Sequence, residues 1–67
     1  MDQTTREKRV EQAILQIETS QVSDAVKIQQ LLQSVHVDVI DFLGTHDEEK
    51  LNEALAKLTY VLEEKMS

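Results

Sequence analysis

The chain has 67 residues, with no cysteine, no proline and one glycine. This length allows one domain at most, over residues 1–67, and the lack of cysteine excludes disulfides and thiolate zinc sites. The net charge of −6 disfavours binding to nucleic acid, because phosphate backbones are bound by lysine and arginine.

The first predicted element is a helix over residues 5–18, with a frayed tail at residues 1–3. Thr4 and Glu7 have the spacing of a capping box, in which two side chains accept hydrogen bonds from each other's backbone N–H groups. Apolar residues then recur at helical spacing, namely Val10, Ala13, Ile14 and Ile17. This pattern predicts a helix with one apolar face.

A break is predicted at residues 19–22. Hydroxyl and acidic residues cluster there, and such side chains compete with the helix for backbone hydrogen bonds. Ser20 or Ser23 is expected to cap the next helix. The alternative is one bent, continuous helix, since neither glycine nor proline occurs in this stretch.

The second helix is predicted over residues 23–43. Its apolar residues recur at steps of three and four, the spacing of a seam between packed helices. The seam consists of Ala25, Ile28, Leu32, Val35, Val39 and Phe42. The alternative for residues 35–39 is a β-strand, since apolar and polar residues alternate there, but the rest of the chain provides no partner strand.

The turn to the third helix is predicted at Gly44 and Thr45. Glycine readily adopts the left-handed conformation that ends a helix, and Thr45 with Glu48 has the spacing of a second capping box. The third helix is predicted over residues 46–65, with a leucine stripe at Leu51, Leu55, Leu58 and Leu62. Because the connection is short, an antiparallel hairpin is expected within an all-α bundle.

The second helix carries more apolar surface than one hairpin partner can cover. The expected core consists of Leu32, Val35, Val39, Leu55 and Leu58. The excess surface predicts a homodimer, with self-association through Ile28, Leu31, Val35 and Phe42. Apolar residues outside these sets are the expected contacts with another protein: Val22, Val26, Val37 and Tyr60. The alternative is a three-helix monomer.

No sequence motif indicates a catalytic, cofactor-binding or metal-binding site, so an enzyme is not expected. His36 and His46 match no metal-ligand spacing. Asp38 and Asp41 are three residues apart, and we expect them on a solvated helix face. One basic cluster, made of Arg6, Lys8 and Arg9, offers a weak candidate contact for nucleic acid.

The function is therefore expected to reside in surfaces. The chain shows neither a signal peptide nor an apolar run long enough to span a membrane, so a cytoplasmic protein is expected. The favoured interpretation is an acidic regulator or adaptor of the inhibitor, antitoxin or chaperone type, which masks the surface of a partner protein. The alternatives are a structural subunit of a larger helical assembly and, less favoured, a weak nucleic-acid binder.

Overall fold

A computed structural model describes residues 3–66 and is all-helical over that range. The elements are α1 (Gln3–Glu18), α2 (Asp24–Thr45) and α3 (Glu48–Tyr60), and α3 is followed by a π-helical turn at Val61–Lys65. The helices pack as a bundle of about 33 × 23 × 21 Å. The all-α class is confirmed, and residues 35–39 are helical rather than a strand.

The break after α1 is confirmed, and the bent continuous helix is wrong. Thr19 ends α1 by donating its hydroxyl hydrogen bond to the Leu15 carbonyl at 2.9 Å. Ser23 is the N-cap of α2, since its Oγ accepts a hydrogen bond from the Val26 N–H at 3.3 Å. Side chains that bond to the backbone thus separate the two helices without glycine or proline.

The start of α1 differs from the prediction. Gln3 and Thr4 are already helical, so Thr4 is not an N-cap and Gln3 is not frayed; residues 1 and 2 lie outside the described range. Arg6, in the first turns of the helix, forms an ion pair with Glu49 of α3. This contact with α3 holds the N-terminal turns of α1 in place. The local sequence pattern does not reveal such a contact.

The second turn lies two residues later than predicted. Gly44 is helical, and the left-handed residue is His46, with φ 57°, whose N–H donates to the Phe42 carbonyl. The N-cap of α3 is Asp47, which accepts from the Glu49 N–H at 3.0 Å. Thr45 instead donates to the Asp41 carbonyl. Asp47 competes successfully for the cap because its carboxylate also lies at the positive end of the helix dipole.

The buried apolar side chains are Val10, Leu31, Ala54 and Val61. Of the expected core, Leu32 and Leu55 are exposed, at 41% and 53%, so their assignment is wrong, while Val35, Val39 and Leu58 are half-buried. The reason is that α1 packs against the hairpin helices from one side. Because α1 and α3 both contact α2, the centre of packing on α2 lies at Leu31, beside the predicted seam rather than in it.

Replacing Gly44 by alanine should raise the free energy of unfolding by about 0.5–1 kcal/mol, since glycine is the poorer helix former. A Cβ added at Gly44 meets no atom within 4 Å, so the change introduces no clash. Urea unfolding followed by circular dichroism measures the difference. As the matched control, His46→Val should destabilise, because a β-branched residue tolerates a positive φ poorly. If Gly44→Ala destabilises the protein and His46→Val does not, the left-handed residue is Gly44 rather than His46.

Candidate functional site: the helix surfaces

One side of the molecule is held together by ionic contacts between α1 and α3. Arg6 Nη1 lies 3.4 Å from Glu49 Oε2, and Arg9 Nη2 lies 3.2 Å from Glu53 Oε1. The pairs advance along both helices in the same order, so α1 and α3 run in the same direction. Two members of the predicted basic cluster therefore hold the fold together, and Lys8 is its exposed member.

A second cluster joins the end of α1 to the π-helical turn. Lys65 Nζ donates to Glu18 Oε2 at 2.7 Å, and the Tyr60 hydroxyl donates to the same oxygen at 3.0 Å. The hydrogen bond from Lys65 lowers the pKa of Glu18, and the same bond raises the pKa of Lys65. Burial, with the hydrogen bond to Glu18, raises the pKa of Tyr60. Glu18 Oε1 is buried and has no hydrogen-bond partner.

A third group of ionic contacts lies inside the bundle, between α2 and α3. Lys57 Nζ of α3 donates to Asp38 Oδ2 of α2 at 2.8 Å and to Ser34 Oγ at 2.9 Å. Asp38 and Lys57 are both buried, so the expectation of a solvated carboxylate at Asp38 is wrong. Asp41 is exposed, as expected. The pair links the second half of α2 to the last turn of α3.

Leucines are exposed on the opposite sides of α2 and α3 and in the π-helical turn that follows α3. We call these residues the leucine face: Leu32, Leu43, Leu55 and Leu62. On α3, Leu55 follows Glu53 by two residues, which places it about 200° around the helix from the contact with α1. Half-buried apolar residues adjoin the exposed leucines, namely Ile28, Val35, Val39, Leu51 and Leu58. The leucine face is therefore the exposed edge of the two predicted apolar stripes.

Charge is segregated to one side of α2. Its charged residues are Asp24, Lys27, Asp38 and Asp41, and spacings of three, eleven and three residues return them to one side of a helix. That side includes the buried contact with Lys57. The other side of this 22-residue helix carries no Asp, Glu, Lys or Arg. Its one titratable side chain is that of His36.

Three of the predicted partner contacts form a second exposed apolar surface. Val26 and Val37 are eleven residues apart on one side of α2, and Val22 precedes the helix; all three are exposed. We call them the valine strip. The structure does not bring Tyr60 to them. Tyr60 is half-buried and instead lines a shallow groove of about 500 Å³ on α1.

The residues predicted for self-association differ in burial. Ile28, Val35 and Phe42 are half-buried and retain accessible surface. Leu31 is 0% exposed and belongs to the core of the single chain. In this fold Leu31 has no surface to present to a second copy. The exposed leucines beside it, which were assigned to the core, have that surface instead.

The two histidines lie in different parts of the structure. His36 is exposed on α2, whereas His46 forms the turn and its ring contacts Phe42 edge-on, with ring centroids 6.4 Å apart. Over residues 3–66, no three histidine or carboxylate side chains are grouped so that they could hold a metal ion. None of the described helices combines the length and apolar character needed to cross a membrane.

Comparisons with known proteins found no matching family model, curated protein or solved structure. The class that the fold defines is a small acidic three-helix bundle with segregated charge. Its function has to be inferred from the surfaces described above.

Removing the carboxylate in Asp38→Ala should lower the free energy of unfolding by about 3–5 kcal/mol, because Lys57 is left as an uncompensated buried charge. Chemical denaturation at pH 7 measures the loss. The matched control is the double variant Asp38→Leu with Lys57→Met, which removes both charges and should stay close to the wild type. A double variant as unstable as Asp38→Ala would show that packing, not charge, causes the loss.

The cluster at Glu18 should stabilise the fold across neutral pH and lose its effect at both extremes. A lowered carboxyl pKa gives stability that disappears as the pH falls below about 4.5, and raised pKa values at Lys65 and Tyr60 give stability that disappears above about pH 10. Thermal melts of wild type and Glu18→Gln at pH 7 and pH 3 test the acid side. The difference in Tm between the two proteins should shrink at pH 3; a constant difference would contradict the pairing.

Proposed function

We propose that this chain is a cytoplasmic protein-binding regulator or adaptor, in which α2 and α3 form an antiparallel hairpin. It acts by masking the surface of a partner protein. The observation that carries this proposal is the apolar surface left exposed by the folded chain, above all the valine strip and the leucine face. Exposed apolar patches of this kind mark interaction sites in small proteins.

The ionic contacts support a preformed binding surface. Asp38 and Lys57 fix α2 against α3, while Glu49 and Glu53 fix α3 against α1. The exposed valines and leucines are therefore displayed on helices whose positions are already set. A preorganised surface loses less conformational entropy on binding than a flexible one. Binding, rather than catalysis, is the use to which such a surface is suited.

The valine strip is the part of this surface that we assign to the partner protein. Val26 and Val37 lie about three helical turns apart, and Val37 is 52% exposed. Gln33 lies between them, so this side of α2 is uncharged from Val26 to Val37. Two apolar side chains on one side of a helix can anchor that helix in the groove of a partner protein. The homodimer predicted from the sequence stays a prediction alongside this role.

The valine strip is tested by affinity capture with tagged wild type and Val37→Glu, followed by mass spectrometry of the bound proteins. One dominant protein should be captured by the wild type and lost in the variant, because a charge would have to be buried in the contact. Circular dichroism should show unchanged helicity, since Val37 is exposed. The matched control is Gln12→Glu, which adds the same charge at an exposed position of α1 and should retain capture.

Equal capture by wild type and Val37→Glu would contradict the role of the valine strip. The second candidate, a structural subunit of a helical assembly, is favoured by the charge-free side of α2, because helices buried in assemblies carry few charges. That candidate predicts a chain that aggregates or unfolds when purified alone. A stable chain that captures one partner favours the regulator or adaptor.

A further inference from the structure

We infer that the leucine face is covered by a second copy of this chain, so that α2 and α3 of two copies form a four-helix core with α1 on the outside. The dimer rests on the proposed function in one respect, since a second copy is itself a protein partner. It assigns separate surfaces to two partners: the leucine face to the second copy and the valine strip to the other protein.

Position is the first reason. Arg6 and Arg9 bind α1 to the acidic side of α3, and the leucine face lies on the other side of that helix. The apolar stripes of both helices have the three- and four-residue steps that fill the core of a helical bundle. α1 covers one side of the pair. The structure leaves the other side, where a bundle would place its remaining helices, without a cover.

Charge is the second reason, and it favours a second copy over a charged partner. In a two-fold interface each residue meets the same surface of its copy, so like charges on that surface repel. Every residue three or four positions from Leu32 or Leu55 along the helix is uncharged. Their neighbours are Ile28, Gln29, Val35, His36, Leu51, Asn52, Leu58 and Thr59. A chain of net charge −6 can therefore meet its copy at the centre of the face, around Leu32 and Leu55, without opposing carboxylates. Charged residues come near only at the ends of the face, where Asp47 follows Leu43 by four residues and Lys65 follows Leu62 by three.

Extent is the third reason. The exposed leucines belong to both packed helices, with Leu32 and Leu43 on α2, Leu55 on α3 and Leu62 in the turn that follows α3. A single docked helix lies along one groove, whereas a second pair of helices can contact both α2 and α3, as in a four-helix core.

Sedimentation equilibrium of the full chain at 1–100 μM is the primary test. The wild type should have twice its chain mass of 7.7 kDa. Leu55→Glu should weaken the dimer at least tenfold, because a carboxylate would be buried at the centre of the interface. The matched control is Leu15→Glu, the same substitution at a leucine of α1 that is 61% exposed, and it should remain dimeric.

Salt dependence gives an independent readout. Because the centre of the face is uncharged, raising NaCl from 50 to 500 mM should not weaken the dimer, and screening of the net charge should leave it equal or tighter. A dissociation constant that rises tenfold over this range would indicate ionic contacts and overturn the assignment. So would a wild type that is monomeric at 100 μM, or a Leu15→Glu variant that dissociates as readily as Leu55→Glu.

If Leu55→Glu fails to fold, the wild type itself settles the contact. In a mixture of isotope-labelled and unlabelled chains, isotope-filtered NMR should show intermolecular contacts between the methyl groups of Leu32, Leu55 and Leu62. Intermolecular contacts confined to α1 or to the valine strip would overturn the inference. A monomeric wild type would overturn the dimer but not the proposed function, provided that Val37→Glu still fails to capture the partner protein. Capture by Val37→Glu would contradict the valine strip but not the dimer.

Discussion

The ionic contacts between α1 and α3 determine which side of this molecule remains apolar. Arg6 and Arg9 on α1 meet Glu49 and Glu53 on α3, and Lys65 returns to Glu18 at the other end of α1. These contacts join half-buried side chains, except that Glu53 is buried. Ion pairs that solvent reaches are weak individually, but together they set the position of the N-terminal helix. Once α1 lies on this side, the leucines on the other side of α2 and α3 stay exposed.

The same placement determines the interior. With α1 on one side, the centre of packing on α2 moves to Leu31, and the face that carries Asp38 turns inward. The buried carboxylate requires a cation, which Lys57 provides at 2.8 Å. A core with so few fully buried apolar side chains gives a domain of this size limited stability. Coverage of the leucine face would add the buried apolar area that a single chain lacks.

Two surfaces with different properties therefore remain. The leucine face spans two helices and lies in uncharged surroundings, which suits an extended contact with an identical surface. The valine strip is narrow and runs along one helix, which suits insertion into a partner of different shape.

The sequence by itself determined the all-α class and the apolar side of α1 that includes Val10, favoured the break after α1, and narrowed the N-cap of α2 to Ser20 or Ser23, of which Ser23 is the cap. These depend on neighbours within a few residues, so spacing and cap chemistry are sufficient. Even the second turn was located to within two residues. The sequence did not decide whether Gly44 or His46 is the left-handed residue, because two possible helix-capping sequences overlap at this turn. The residue that ends α2 depends on where α3 begins.

Only the tertiary structure decided which edge of each apolar stripe is buried. Periodicity identifies a stripe, but it cannot indicate on which side a third helix will pack, so Leu32 and Leu55 are exposed and Leu31 is buried. The charged residues show the same limit. Arg6 and Arg9 are three residues apart and Glu49 and Glu53 four, which was a usable signal for matching helices. Recognising it requires knowing that α1 and α3 are neighbours, and that is a property of the folded chain.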